Sequence, residues 1–207
     1  MAWQQRDPKK AIRYYEQALQ MYRRIYGEDN THYNIAGVLN NLGATWENLG
    51  DYKEAIKYFE LALQMKRKIY GQTTAHPSIS NSLFNLGATW HVMGDHRKAI
   101  SCYEEALQMR RRICGPSTAH PTIATILNNL GLAWHSLGDH RKAISYLEQA
   151  LKMYRTVYGP STAHADIVSS LNNLSGAWLA LGNRPNAVSY FQQAKQMEEA
   201  IATAKRQ

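Results

Sequence analysis

Histidine is the residue type in this sequence best suited to proton transfer or metal ligation near neutral pH, and eight are present. Four of them, His32, His76, His120 and His164, recur at intervals of 44 residues. A metal centre or a general-base site needs its groups within a few ångströms of one another. A fixed long interval does the opposite, placing one such residue at each of several equivalent positions, so the four form a row rather than a cluster. Each is expected to cap a helix that opens at the next residue. His96 and His140, each followed by Arg-Lys, read as solvated helix starts. No glycine-rich phosphate loop, paired-cysteine metal motif or nucleophile motif is present. The expectation is a non-enzyme with no catalytic residues, no metal and no cofactor.

Cys102 and Cys114 fall in one expected helix, about 18 Å apart along its axis at the standard rise, too far to bridge each other. Free thiols suit a reducing compartment. The first ten residues hold no apolar signal region, and no run approaches the length needed to span a bilayer. These features exclude a disulfide scaffold and a membrane span, and point to a cytoplasmic location.

The elements that must position these residues are repeated. Asn41-Leu42-Gly43-Ala44-Thr45-Trp46 returns as Asn85–Trp90, as Asn129–Trp134 and, more loosely, as Asn173–Trp178, each 44 residues on. Gly50-Asp51, Gly94-Asp95, Gly138-Asp139 and Gly182-Asn183 keep the same step. Within a unit, apolar residues recur at helical spacing in two stretches, so each unit reads as two antiparallel helices. First-type helices are expected near 33–49, 77–93, 121–137 and 165–181. Second-type helices are expected near 7–26, 52–70, 96–114, 140–158 and 184–205. Pro77 and Pro121 suit a first helical turn. Asp51 with Glu54 has the spacing of a capping box, and Gly27, Gly71, Gly115 and Gly159 are expected to end the second helices in a left-handed conformation.

Small residues recur where helices must approach closely: Gly43, Gly87 and Gly131 in the first helices, Ala55, Ala62 and their equivalents in the second. Trp46, Trp90, Trp134 and Trp178, with Phe59, Tyr103, Leu147 and Phe191, are expected to fill the space between them as core. This pattern of small against large resembles the tetratricopeptide repeat. The match spans essentially the whole chain, and the extended loop with His-Pro and Leu-Asn-Asn-Leu is similar to the repeats of kinesin light chains and nephrocystin-3. The resemblance implies an all-α fold, a right-handed α–α superhelix or solenoid of antiparallel helix pairs. One array over 1–207 is expected: a half repeat at 7–26, then repeats at 33–70, 77–114, 121–158 and 165–205. The first helix of the half repeat is missing but for Trp3, as in a piece or shortened copy of a longer array.

The resemblance also implies that the first helices line a concave groove and that a partner protein's extended or short helical peptide lies in it. All 24 Lys and Arg lie outside those helices, so the groove is expected to be nearly neutral and the net charge of +8 to belong to the outer surface and edges. Offsets from the recurring Gly place Asn40, Asn81, Phe84, Asn128 and Asn172 toward the groove, with His91 and His135 one turn beyond that Gly. Asn41, Asn85, Asn129 and Asn173 neighbour them. An Asn amide donates and accepts, which suits a peptide backbone. The same amides could instead bond between adjacent repeats, a role expected more of the second Asn than of the first. Phe84 is either a pocket for a ligand side chain or a surface aromatic. Groove cations of the kind that clamp a C-terminal carboxylate are missing. Two other functions compete: polyanion or nucleic-acid binding by the basic outer face, against which stands the lack of interleaved aromatics, and self-association through the array ends.

Overall fold

The computed structural model describes residues 7–27 and 31–204; Trp3 lies outside them. Among the described residues there are nine α-helices and no strand. They are α1 (Pro8–Tyr26), α2 (Tyr33–Asn48), α3 (Tyr52–Tyr70), α4 (Pro77–Val92), α5 (His96–Cys114), α6 (Pro121–Ser136), α7 (His140–Tyr158), α8 (Ala165–Ala180) and α9 (Arg184–Ala204). Every helix starts and stops within two residues of its expected range. The chain divides into two compact units at Met109/Arg110, within α5. In the first, α2 packs against α1 and α3, and α3 against α4; in the second, α6 packs on α7, α7 on α8 and α8 on α9.

The helix starts are built by side chains that take up otherwise unpaired backbone N–H groups. Nδ1 of His32, His76, His120 and His164 accepts from the amide two residues on, at 3.1–3.2 Å. Three of these caps are also stacked on a tyrosine that ends the preceding helix: Tyr26 on His32, Tyr70 on His76 and Tyr158 on His164, with centroids 3.6–3.7 Å apart. In these three places the cap ties the first-type helix to the end of the second-type helix before it. Asp7, Asp51, Asp95, Asp139 and Asn183 accept from the amide three residues on. The reciprocal half of the capping box does not form. Glu54 pairs with Lys57 at 3.1 Å, and the Asp51 amide donates to the Trp46 carbonyl. Gly71 and Gly159 have the expected positive φ of 99°, but their ψ of 144° lies outside the left-handed helical region, in a part of the map open in practice to glycine.

Packing follows the pattern of small against large through three repeats. A Cβ on Gly43 would stand 2.6 Å from the Phe59 ring, on Gly87 2.9 Å from Tyr103, and on Gly131 2.5 Å from Leu147. Those three large side chains are accordingly enclosed. The fourth repeat departs from the expectation: Phe191 is 57% exposed. Ser175 occupies the glycine position there, its Oγ donating to the Ala187 carbonyl at 2.8 Å; Phe191 is exposed together with Val188, on a face of α9 that packs on no following described helix as α3 packs on α4 and α7 on α8. The four tryptophans are half-buried, not core. Trp46 lies against the cluster of Ile12, Leu19, Ile35, Leu39 and Leu42. Lys98 and Lys142 set their ammonium groups 4.0 Å over Trp90 and Trp134, a contact worth about 0.5–1 kcal/mol at such sites. Trp90 and Trp134 sit where their helices end, so the first turn of the next helix sets a lysine rather than an apolar side chain over each.

Candidate functional site

The paired asparagines of the first-type helices separate into two groups. The first Asn is used between repeats in two of the pairs. In the first unit, Ser82 on α4 donates to Oδ1 of Asn40 on α2 at 3.4 Å. In the second, Oδ1 of Asn128 on α6, itself buried, accepts from Ser170 and from Asn173 on α8, both at 3.1 Å. Bonding between repeats therefore centres on the first Asn, the reverse of the expected order, because its side chain meets a hydroxyl on the next helix. The second Asn varies. Asn129 donates to the Thr125 carbonyl of its own helix. Asn41 and Asn85, both half-buried in the first unit, keep side-chain amides that bond to none of the described residues. Asn172 is exposed and lies 3.5 Å from Glu198 Oε1. Asn81 is exposed. Phe84 is half-buried with its ring 5.6 Å from that of Tyr103.

The expected placing of the cations on the outer surface and edges needs correction. Lys66 is only 9% exposed, and so is Arg110. Nζ of Lys66 reaches from α3 between α2 and α4, donating to Ser82 Oγ at 2.6 Å and approaching Asn40 Oδ1 at 3.5 Å. Burial beside neutral partners, with no carboxylate at hand, pushes its pKa down to about 8. The folded value lies below the ordinary 10.5, so above pH 8 the unfolded chain holds a proton that the folded chain has released, and stability rises with pH. Cys102, pushed up to about 11 by burial, and the raised tyrosines oppose this at higher pH. The difference between the wild type and Lys66→Met isolates the lysine. From pH 8 to pH 9 the wild type should gain about 1 kcal/mol over that variant in urea titrations. An unchanged difference would place Lys66 in solvent.

His91 and His135 are half-buried, each facing the histidine that opens the next helix, with ring centroids 5.0 Å apart for His91–His96 and 4.9 Å for His135–His140. His96 and His140 are thus partly enclosed and not solvated as expected. Nδ1 of His135 and of His140 are 3.2 Å apart, so one of them carries the shared proton. Burial, and then the neighbouring ring, hold the pKa of His91 and His135 below the usual imidazole range. Among the described residues no group of three or more His, Cys, Asp or Glu is arranged for a metal ion. Both cysteines are free. No described helix is long and apolar enough to cross a membrane.

Stacked helix pairs, glycine–aromatic packing and helix-capping histidines at one interval define an α-helical repeat scaffold. The tetratricopeptide repeat family model matches residues 1–68, 34–112, 78–156 and 122–200, and the chain belongs to that family, with repeats about 44 residues apart. Repeats of this family generally build surfaces for protein–protein interaction. No curated protein matches the sequence significantly. Among solved structures, BtubC (BKLC) from P. vanneervenii is similar over 95% of this chain and 75% of its own, at 23% identity and a TM-score of 0.82. A putative kinesin light chain with nearly identical repeats from Podospora anserina is similar over 96% and 91%, at 19% identity and a TM-score of 0.79. MamA is similar over 98% of both chains, at 21% identity and a TM-score of 0.65. At these identities the likeness is one of fold.

Proposed function

We infer that the chain is a non-enzymatic adaptor module that binds an extended or short helical peptide of a partner protein along its first-type helices, within a larger cytoplasmic signalling or adaptor protein. The observation that carries this reading is the pair of free amides at Asn41 and Asn85. They occupy equivalent positions on α2 and α4, are half-buried, and satisfy neither the chain's own helices nor its neighbouring repeats. A half-buried amide without a partner has a donor and an acceptor to offer, and a peptide backbone presents the complementary pair. The inter-repeat bond from Ser82 to Asn40 joins α4 to α2, the helices that display these amides.

Peptides selected from a random display library on the wild-type chain should bind the Asn41→Arg/Asn85→Arg variant at least about tenfold more weakly, the loss expected when two hydrogen bonds are removed and bulk is added. The circular dichroism spectrum should stay unchanged, since both side chains are outside the core. Equal affinity for the variant would refute the groove. Asn128→Arg is unsuitable for this purpose, because it would unfold the α6–α8 contact.

A further inference from the structure

A second feature lies on the second-type helices, away from those amides. Arg67 and Arg155 are the same position two repeats apart, as are Glu105 and Gln193. On α3, Nη2 of Arg67 meets both carboxylate oxygens of Glu105 on α5, at 2.6 and 2.8 Å. On α7, Arg155 makes the corresponding contact to α9 at 3.0 Å, but there the acceptor is the neutral amide of Gln193. The geometry of the contact is kept while the counter-charge is lost. Nε of Arg155 is buried and bonded to nothing. A guanidinium in that condition has a charge without an anion and a donor without an acceptor, both of which raise its free energy.

Beside it opens a cleft of about 540 Å³, in the size range of small-molecule sites. Leu151, Pro160 and Tyr190 supply its apolar wall, and Glu148, Lys152, Arg155 and Thr156 its polar one. Burial, and then the nearby Glu148 carboxylate, raise the pKa of the Tyr190 phenol. With Lys152 and Arg155 against the single carboxylate of Glu148, the lining of the cleft carries a net positive charge. We propose that this cleft binds a small organic oxyanion, a carboxylate or phosphate monoester on an apolar body, with the anion on Arg155 and the body against Leu151, Pro160 and Tyr190. The planar guanidinium fork matches either oxyanion.

The test uses the full chain, with benzoate and phenyl phosphate as separate probes, followed by calorimetry and by amide chemical shifts. At least one probe should bind saturably at millimolar concentration and shift amides of α7 and α9. Phenyl phosphate alone assigns the site to phosphate esters, benzoate alone to carboxylates, and both to the shared chemistry. Arg155→Gln should weaken binding about tenfold or more, the scale of a charge-assisted pair. Gln193→Glu restores in place the carboxylate that Glu105 gives Arg67, and should abolish binding while thermal stability is kept or raised. That variant makes a folding defect an inadequate explanation of the loss. The proposal is overturned if neither probe binds saturably, or if Gln193→Glu binds as well as the wild type.

Discussion

Gly43→Ser should cost the folded chain about 2–4 kcal/mol in urea titrations, whichever of two responses the structure makes. If the Phe59 ring stays, a Cβ 2.6 Å away forces backbone or rotamer shifts that typically cost about 1–3 kcal/mol. If the ring leaves, the burial of a full aromatic side chain is lost, about 3 kcal/mol. Gly43 is inside α2, where glycine is itself unfavourable by about 1 kcal/mol relative to alanine, so its presence has a packing cause. A loss below about 0.5 kcal/mol, the range of neutral surface changes, would mean that α2 and α3 can separate freely.

The contrast between repeats gives the second large effect. Phe59 is fully enclosed and Phe191 is 57% exposed. Phe59→Ala should cost about 3–5 kcal/mol, the range for a buried aromatic, whereas Phe191→Ala should stay within about 0.5 kcal/mol of the wild type. The two phenylalanines occupy equivalent positions, so helix propensity contributes alike to both. Gly43→Ser with Phe59→Ala should cost clearly less than the sum of the two single changes, since they act on one contact. Similar losses at Phe59 and Phe191 would contradict the packing described here.

The helices were legible because their signals are local. Capping residues, a 3.6-residue apolar rhythm and glycines requiring positive φ all lie within a few positions of the boundary they set, and four copies reinforce each one. The capping role of His32, His76, His120 and His164 was legible for that reason. What could not be read depends on one residue meeting another from a different element. Phe191 conforms to the pattern in its own helix, and its exposure, shared with Val188, follows from what packs on that face of α9. Lys66 looked solvated because it sits in a basic run; its burial follows from which side of α3 faces α2 and α4. The division of labour within each Asn-Asn pair turned on a serine one repeat later. Ser82 and Ser170 stand at that place, whereas the third repeat has Ile126. The missing counter-charge at Gln193 was invisible until the Arg67–Glu105 pair supplied the comparison.

That last serine bears on how such a gene can change. Tandem copies of one length invite unequal recombination, and losing a single 44-residue unit would preserve the reading frame and the outline of every helix. Dropping residues 77–120, however, would bring Ile126 to the position of Ser82, setting a hydrocarbon against the Asn40 amide and the Lys66 ammonium. An unmatched buried polar group of this kind costs about 1–3 kcal/mol. The copies are alike in shape yet keyed by chemistry to their neighbours, so the order in which they stand is itself under physical constraint.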